Sequence, residues 1–284
     1  MRDQCPAFVW TRLVSGRKTK LTLLGTGSSG GVPRVGGDWG ACDPNEPKNR
    51  RRRCSALVET WDASNPDDRT VILIDTSPDL REQLLDAEVS RLDAIVFTHD
   101  HADQTHGIDD ARALAIRNRA RVKTYMDQAT SDTLLEKFKY AFQGAGAYPA
   151  IYDVQPMIEA YQPFELTGPG GEIEFLPLDQ EHGYIRSLGF RIGDMAYCND
   201  LNELPAQSLD ALQGLELLAI DALRYTPHPS HAHLERVLEW VSELKPKRTV
   251  LTNLHVDFDY KTLKSELPEG VEPGFDGWSY IAEA

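Results

Sequence analysis

The sequence predicts an α+β chain in which two β-sheets pack face to face with helices on the outside. Short apolar strands come in runs separated by helices, and this happens twice along the chain. A strongly amphipathic segment, with Leu234, Val237, Leu238, Val241 and Leu244 at helical spacing, lies between two apolar strands near the end. No repeat, low-complexity tract or linker divides the 284 residues, which suffice for a sizeable core without disulfide staples.

In order, strands are expected at 21–24, 55–59 and 71–75, then a short helix at 78–85 and a buried strand at 94–97. A helix at 131–142 follows, and the glycine-rich stretch 144–150 reads as a loop. Strands at 172–176 and 188–192, an apolar strand at 215–220, the amphipathic helix and a last strand at 249–252 complete the pattern.

Composition narrows the function. Hydrophobic residues at 41% and charged residues at 26% are ordinary globular usage, which excludes disordered and fibrous classes. No apolar run approaches the ~18 residues of a membrane span. The first twenty residues lack the apolar stretch and cleavage site of a signal peptide, so none is expected. Cys5, Cys42, Cys54 and Cys198 form no CxxC pair, which argues for a reducing, cytoplasmic setting. The net charge of −14 disfavours extended DNA or RNA.

Three of the eight histidines crowd into Thr98-His99-Asp100-His101-Ala102-Asp103-Gln104-Thr105-His106-Gly107, directly after the strand at 94–97. In extended geometry alternate residues point the same way, so His99, His101 and Asp103 would converge past the strand end. Two imidazoles and a carboxylate suit Zn²⁺, Mn²⁺ or Fe²⁺; the competing reading is a polar loop. His182, in a loop after the strand at 172–176, and Asp200, after a short strand, are candidates for further ligands. Asp200 could equally cap a helix begun at Leu201, and His182 could be a surface histidine.

The order His-x-His-x-Asp, later His, later Asp, on a chain opening with Leu24-Gly25-Thr26-Gly27, resembles the metallo-β-lactamase superfamily. Arg52-Arg53-Cys54-Ser55, Ile74-Asp75-Thr76, Asn199-Asp200, Ser230-His231, Leu251-Thr252 and Gly274-Phe275-Asp276-Gly277 extend the likeness. It is nearest to the phosphodiesterase branch that includes the cyclic phosphodiesterase of bacterial phosphonate breakdown. The resemblance implies a four-layer αβ/βα sandwich over residues 20–284, with residues 1–19 as an N-terminal extension. It also implies that His99, His101 and His182 hold a metal, that Asp200 bridges to a second, and that Asp103 binds the second metal and orients the attacking hydroxide. His231 is implied as the general acid for the leaving oxygen.

Three departures stand out. Gln104 and Asn253 occupy positions where the family has histidines, both at the second metal site. A neutral amide is a poor Zn²⁺ ligand beside imidazole, so one well-held Zn²⁺ or Mn²⁺ and a weak or absent second ion are expected. His106 and His255, two residues beyond each replacement, are open to three readings: metal ligands, hydrogen-bond donors to the carboxylates, or polar residues by the cleft. The third departure is that Cys42 stands alone where the phosphonate-pathway relative has a cysteine cluster, so no structural zinc is expected.

Gly25-Thr26-Gly27-Ser28-Ser29-Gly30 matches GxGxxG, but Val32-Pro33 and Gly36-Gly37 follow where a helix should open, so dinucleotide binding is rejected. A glycine-rich loop giving a substrate room near the metal is the better reading. Lys48-Asn49-Arg50-Arg51-Arg52-Arg53 is either a solvated face or a phosphate clamp, with Arg52 and Arg53 nearest the strand. Ser230 is a candidate N-cap placing His231 in the first helical turn, His233 would pair with a carboxylate, and His228 would face solvent. Asp221 would orient an imidazole or cap a loop.

The expected function is metal-dependent hydrolysis of small or cyclic nucleotide-like phosphodiesters, in which a divalent ion lowers the pKa of bound water from ~15.7 towards ~7. A tRNA-processing endonuclease, an acyl (thioester, lactone or β-lactam) hydrolase and a catalytically weakened nucleotide- or metal-binding protein are the alternatives. A homodimer is the expected assembly on frequency alone.

Overall fold

The computed structural model describes residues 16–283. The strands are β1 (Arg17–Gly25), β2 (Ser55–Asp62), β3 (Asn65–Ile74), β4 (Ala94–Val96), β5 (Val122–Tyr125), β6 (Tyr152–Val154) and β7 (Phe164–Gly168). There follow β8 (Gly171–His182), β9 (Ile185–Ile192), β10 (Met195–Cys198), β11 (Leu217–Asp221), β12 (Arg248–Thr252), β13 (Val271–Pro273) and β14 (Ser279–Glu283). They form two seven-stranded sheets, ordered β14-β1-β2-β3-β4-β5-β6 and β13-β12-β11-β10-β9-β8-β7. The last strand returns to the first sheet, so both ends of the described chain pair in one antiparallel ladder.

Alternation along the strands divides the core into three slabs, because successive side chains point to opposite faces. In β11, Leu217 and Ala219 face the first sheet, meeting Leu21, Val58, Ile72 and Val96. Leu218 and Ile220 point the other way, onto α6 (Ala206–Ala211), α7 (Leu234–Leu244) and α8 (Tyr260–Glu266). The outer face of the first sheet, through Leu57, Leu73 and Ile95, packs on α1 (Leu80–Asp86), α3 (Arg112–Asn118), α4 (Gln128–Lys137) and α5 (Lys139–Gln143). Helices, sheet, sheet and helices make the four-layer αβ/βα sandwich. The remaining helix, α2 (Ala102–Thr105), lies just past β4.

Several boundaries depart from the sequence reading. The helix expected at 131–142 is two, broken at Phe138 (φ −118°, ψ 34°) and capped earlier by Asp127, which accepts from Thr130 N at 2.8 Å. β1 begins at Arg17, extended by its ladders to β2 and β14. Residues 1–15 of the expected N-terminal extension lie outside the described residues. No helix among the described residues is long and apolar enough to cross a membrane.

Candidate metal centre

Strand ends from both sheets meet at one edge, and the polar residues of interest gather there. His99 follows β4, His182 ends β8, Asp200 follows β10, Asp221 ends β11 and Asn253 follows β12. A bond from Leu188 N to Thr98 O at 2.9 Å ties the two sheets together beside them.

His99, His101 and His182 bring one ring nitrogen each to within 4.8 Å of one another. Nδ1 of His101 and Nε2 of His182 are 3.2 Å apart, and Nε2 of His99 is buried with no hydrogen-bond partner. The outward nitrogens are held. Nδ1 of His182 donates to the Ser230 carbonyl at 2.6 Å, which leaves the lone pair on Nε2. Nδ1 of His99 lies 2.9 Å from Thr98 Oγ1, which donates in turn to buried Asp75 at 2.8 Å. Burial, helped by the neighbouring rings, pushes His99 well below the usual histidine range. Burial likewise takes His182 down to about 4, so both are neutral near pH 7. An orphaned lone pair among converging neutral imidazoles fits a divalent cation. Asp200 agrees with this: burial, then the charge of Asp103, drives its pKa well up, a deficit of positive charge that a cation would fill.

The Asp200 carboxylate sits 3.6 Å from His99 Nε2. Gln104 Nε2 donates to its Oδ2 at 2.8 Å and Asn253 Nδ2 to its Oδ1 at 2.6 Å. His182, Asp200 and His231 form a second group with ligand atoms equally close. The His231 ring centroid is 4.8 Å from that of His182, and its Nδ1 is 2.8 Å from Asp221 Oδ2. Burial works against the charged ring, but Asp221, with Asp200 and Asp103, outweighs it and carries His231 up to about 9.

Other expectations are corrected. Extended backbone ends at His101, and Asp103 falls in the first turn of α2, where its Oδ2 accepts at 3.4 Å from Gln104 Nε2, the amide that also donates to Asp200. His182 belongs to a strand more than twice the expected length, and no helix starts at Leu201, because Pro205 delays α6 to Ala206. The N-cap of α7 is His233, not Ser230, so His231 stands in the loop before the helix. His228 does not face solvent; it is half-buried with its ring 5.2 Å from His231.

His106 is exposed and packs edge-on against Phe138, away from the imidazole cluster, because the end of α2 turns it outward. His255 bonds instead to Arg34 and Asp257. Three of the four arginines in the basic run are spent on the fold. Arg53 forks onto Asp79, Arg52 joins Asp276 to Asp86, and Arg51 is buried against Cys42 and Asn49. The start of the glycine-rich loop makes room for that run: a Cβ on Gly25 would stand 2.0 Å from the Arg53 carbonyl. Thr98 and the Ser230 carbonyl, which orient two ligands, went unrecognised; Ile74-Asp75-Thr76 was the one signal, an acid ending an apolar strand.

A family model for the beta-lactamase superfamily domain matches residues 70–253. The solved structure of a diphosphatase from the PhnP family is 34% identical, with a TM-score of 0.83 over 93% of this chain and 97% of that one. The metallo-beta-lactamase fold protein YhfI from Bacillus subtilis shares the fold at 16% identity and TM-score 0.68, over 93% of this chain and 99% of that one. An octanoyltransferase of Porphyromonas gingivalis is 32% identical over 272 residues, covering 93% of this chain. The chain spans about half (52%) of that relative's length. With two thirds of its length matched to the family and three imidazoles converging at the strand ends, the chain belongs to the β-lactamase superfamily and carries its metallo-β-lactamase fold.

Proposed function

We propose that this chain is a metal-dependent hydrolase of phosphodiester and diphosphate bonds in small, nucleotide-like substrates. The observation that carries the reading is the pairing of the three-imidazole cluster with His231, a ring held by Asp221 and poised to give up a proton beside that cluster. The 34% identical diphosphatase supports phosphorus over carbon as the centre attacked. The acidic balance of the chain favours a small substrate over extended nucleic acid.

His99, His101, His182 and Asp200 would hold a Zn²⁺ or Mn²⁺ ion, which supplies Lewis acidity and an acidified water when bound. Asp103, at the edge of the cluster, would orient the attacking water. His231 would pass a proton to the leaving oxygen, with Asp221 fixing its ring and balancing its charge. Gln104 and Asn253 hold Asp200 from both sides, so one ion is the expected complement.

Acyl transfer finds less support. Cys42, Cys54 and Cys198 are all buried, and burial raises each thiol pKa, to about 12 for Cys198, which leaves no activated thiol among the described residues. The octanoyltransferase match covers only about half of that relative.

The test is hydrolysis of bis(p-nitrophenyl) phosphate by protein stripped of metal and refilled with Mn²⁺ or Zn²⁺, beside His231→Ala. Metal-dependent turnover that falls about 10²–10⁴-fold in the variant is expected. No turnover from protein shown to bind either metal would overturn the reading.

A further inference from the structure

With Arg51, Arg52 and Arg53 committed to the fold, a second set of basic side chains stands on three loops near His231. Arg34 stands on the glycine-rich loop, Arg224 and His228 on the loop between β11 and α7, and His255 just past β12. Arg34 Nη2 meets His255 Nε2, while His255 Nδ1 lies 3.1 Å from Asp257. The imidazole is therefore strung between a carboxylate and a guanidinium, proton on Nδ1, and it fixes where Arg34 points.

His255 N donates to the Leu223 carbonyl at 3.0 Å, which sets the Arg34–His255 pair alongside Arg224. Arg224 bonds the carbonyls of Thr226 and Pro227 and has no carboxylate partner among the described residues. His228 completes the group, 5.2 Å from the His231 ring. The carboxylate contact of Arg34, with Asp38 at 3.7 Å, is loose and half-exposed. Burial is the main reason both His228 and His255 lie below the usual histidine range, so the fixed positive charge here comes from the two guanidinium groups. On a chain of net charge −14, two guanidinium groups without a close carboxylate partner, set beside the His231 loop, call for an anion.

We infer that Arg34, Arg224, His228 and His255 form a phosphate subsite beside His231 that receives a phosphoryl group carried by the leaving part of the substrate. This rests on the hydrolase reading above and narrows it to substrates such as nucleoside diphosphates. In the reaction a water oxygen bonds the attacked phosphorus, the bridging P–O bond breaks, and His231 protonates the departing oxygen. The attacking water gives up a proton in exchange, so one water is consumed and no redox partner is needed. The subsite holds the leaving phosphoryl group through that step.

The test uses ADP as the probe. Calorimetry on metal-loaded His231→Ala, which binds without turnover, is compared with the same protein carrying Arg34→Gln or Arg224→Gln. At least tenfold weaker ADP binding with either added change is expected, and Arg34→Lys should restore part of it. In the active background, Arg34→Gln should raise KM for ADP at least three times more than KM for bis(p-nitrophenyl) phosphate. Equal ADP affinity with and without both arginines would overturn the subsite. Loss of binding in the variants, from protein that hydrolyses neither substrate, would support the subsite and overturn the hydrolase reading instead.

Discussion

Asn253 donates from its side-chain amide to Oδ1 of Asp200 at 2.6 Å, and Gln104 mirrors it on Oδ2 at 2.8 Å. Both amides turn N–H groups, not carbonyls, towards the carboxylate, because only a donor can satisfy its lone pairs. The oxygens that would bridge to a second ion are thereby hydrogen-bonded already. Metal analysis of the purified protein is expected to give one tightly held ion per chain. Gln104→His with Asn253→His should raise the content towards two, since imidazole replaces an amide donor with a ligand. Asn253 has φ +60°, a conformation histidine tolerates better than most residues. Unchanged stoichiometry in a well-folded double variant would refute this account of the substitutions.

Thr98 relays between buried Asp75 and Nδ1 of His99. Thr98→Val keeps the shape and removes the hydroxyl, freeing the His99 ring to turn. Groups that orient a metal ligand in this way typically contribute 10–100-fold in affinity. Competition with a chelator should show a loss in about that range, with the fold intact by circular dichroism. Wild-type affinity in the variant would mean that packing alone orients His99.

Asp221 accepts from Nδ1 of His231 and also from Leu201 N at 3.2 Å. Asp221→Asn keeps a similar volume but removes the charge behind the ring. Turnover of a generic phosphodiester is expected to fall in kcat more than in KM, by less than the His231→Ala loss, because the ring remains. An effect confined to KM would move Asp221 from the proton-transfer chain to substrate binding.

The layers and the metal edge were legible because they depend on local pattern. The continuous apolar run in Leu217–Asp221 and the helical spacing in Leu234–Leu244 need no knowledge of their partners. The spacing His99-x-His101 at a strand end was equally local. What failed depended on distant chain. Arg52 and Arg53 resembled a phosphate clamp until Asp276, Asp86 and Asp79 arrived from elsewhere in the fold. The extended backbone expected through Asp103 stops at His101, because a single turn of helix breaks the period-two geometry, and four residues carry too little signal to announce it. His255 and His228 gain their roles only from Arg34 and His231, contacts between loops that no periodicity encodes.

Asp259 offers a stability test away from the metal. It caps α8 by accepting from Thr262 N at 3.0 Å, and it also receives Asn49 Nδ2 at 2.6 Å and Asp43 N at 3.1 Å. Partial burial opposes the charged form, but these donors outweigh it and bring the pKa to about 2. Asp259→Ala is expected to cost about 0.5–2 kcal/mol in urea unfolding, the usual worth of an N-cap. Asp259→Asn keeps a capping oxygen but no charge, so its deficit isolates the ionic part. A carboxylate with a lowered folded pKa stabilises fully above its unfolded value of ~3.9, and that contribution fades as pH falls through about 2. The gap between wild type and Asp259→Asn should therefore be constant from pH 7 to 5 and narrow steadily below pH 4. A gap that stays level to the lowest pH at which the protein remains folded would show that hydrogen-bond geometry, not charge, holds this cap.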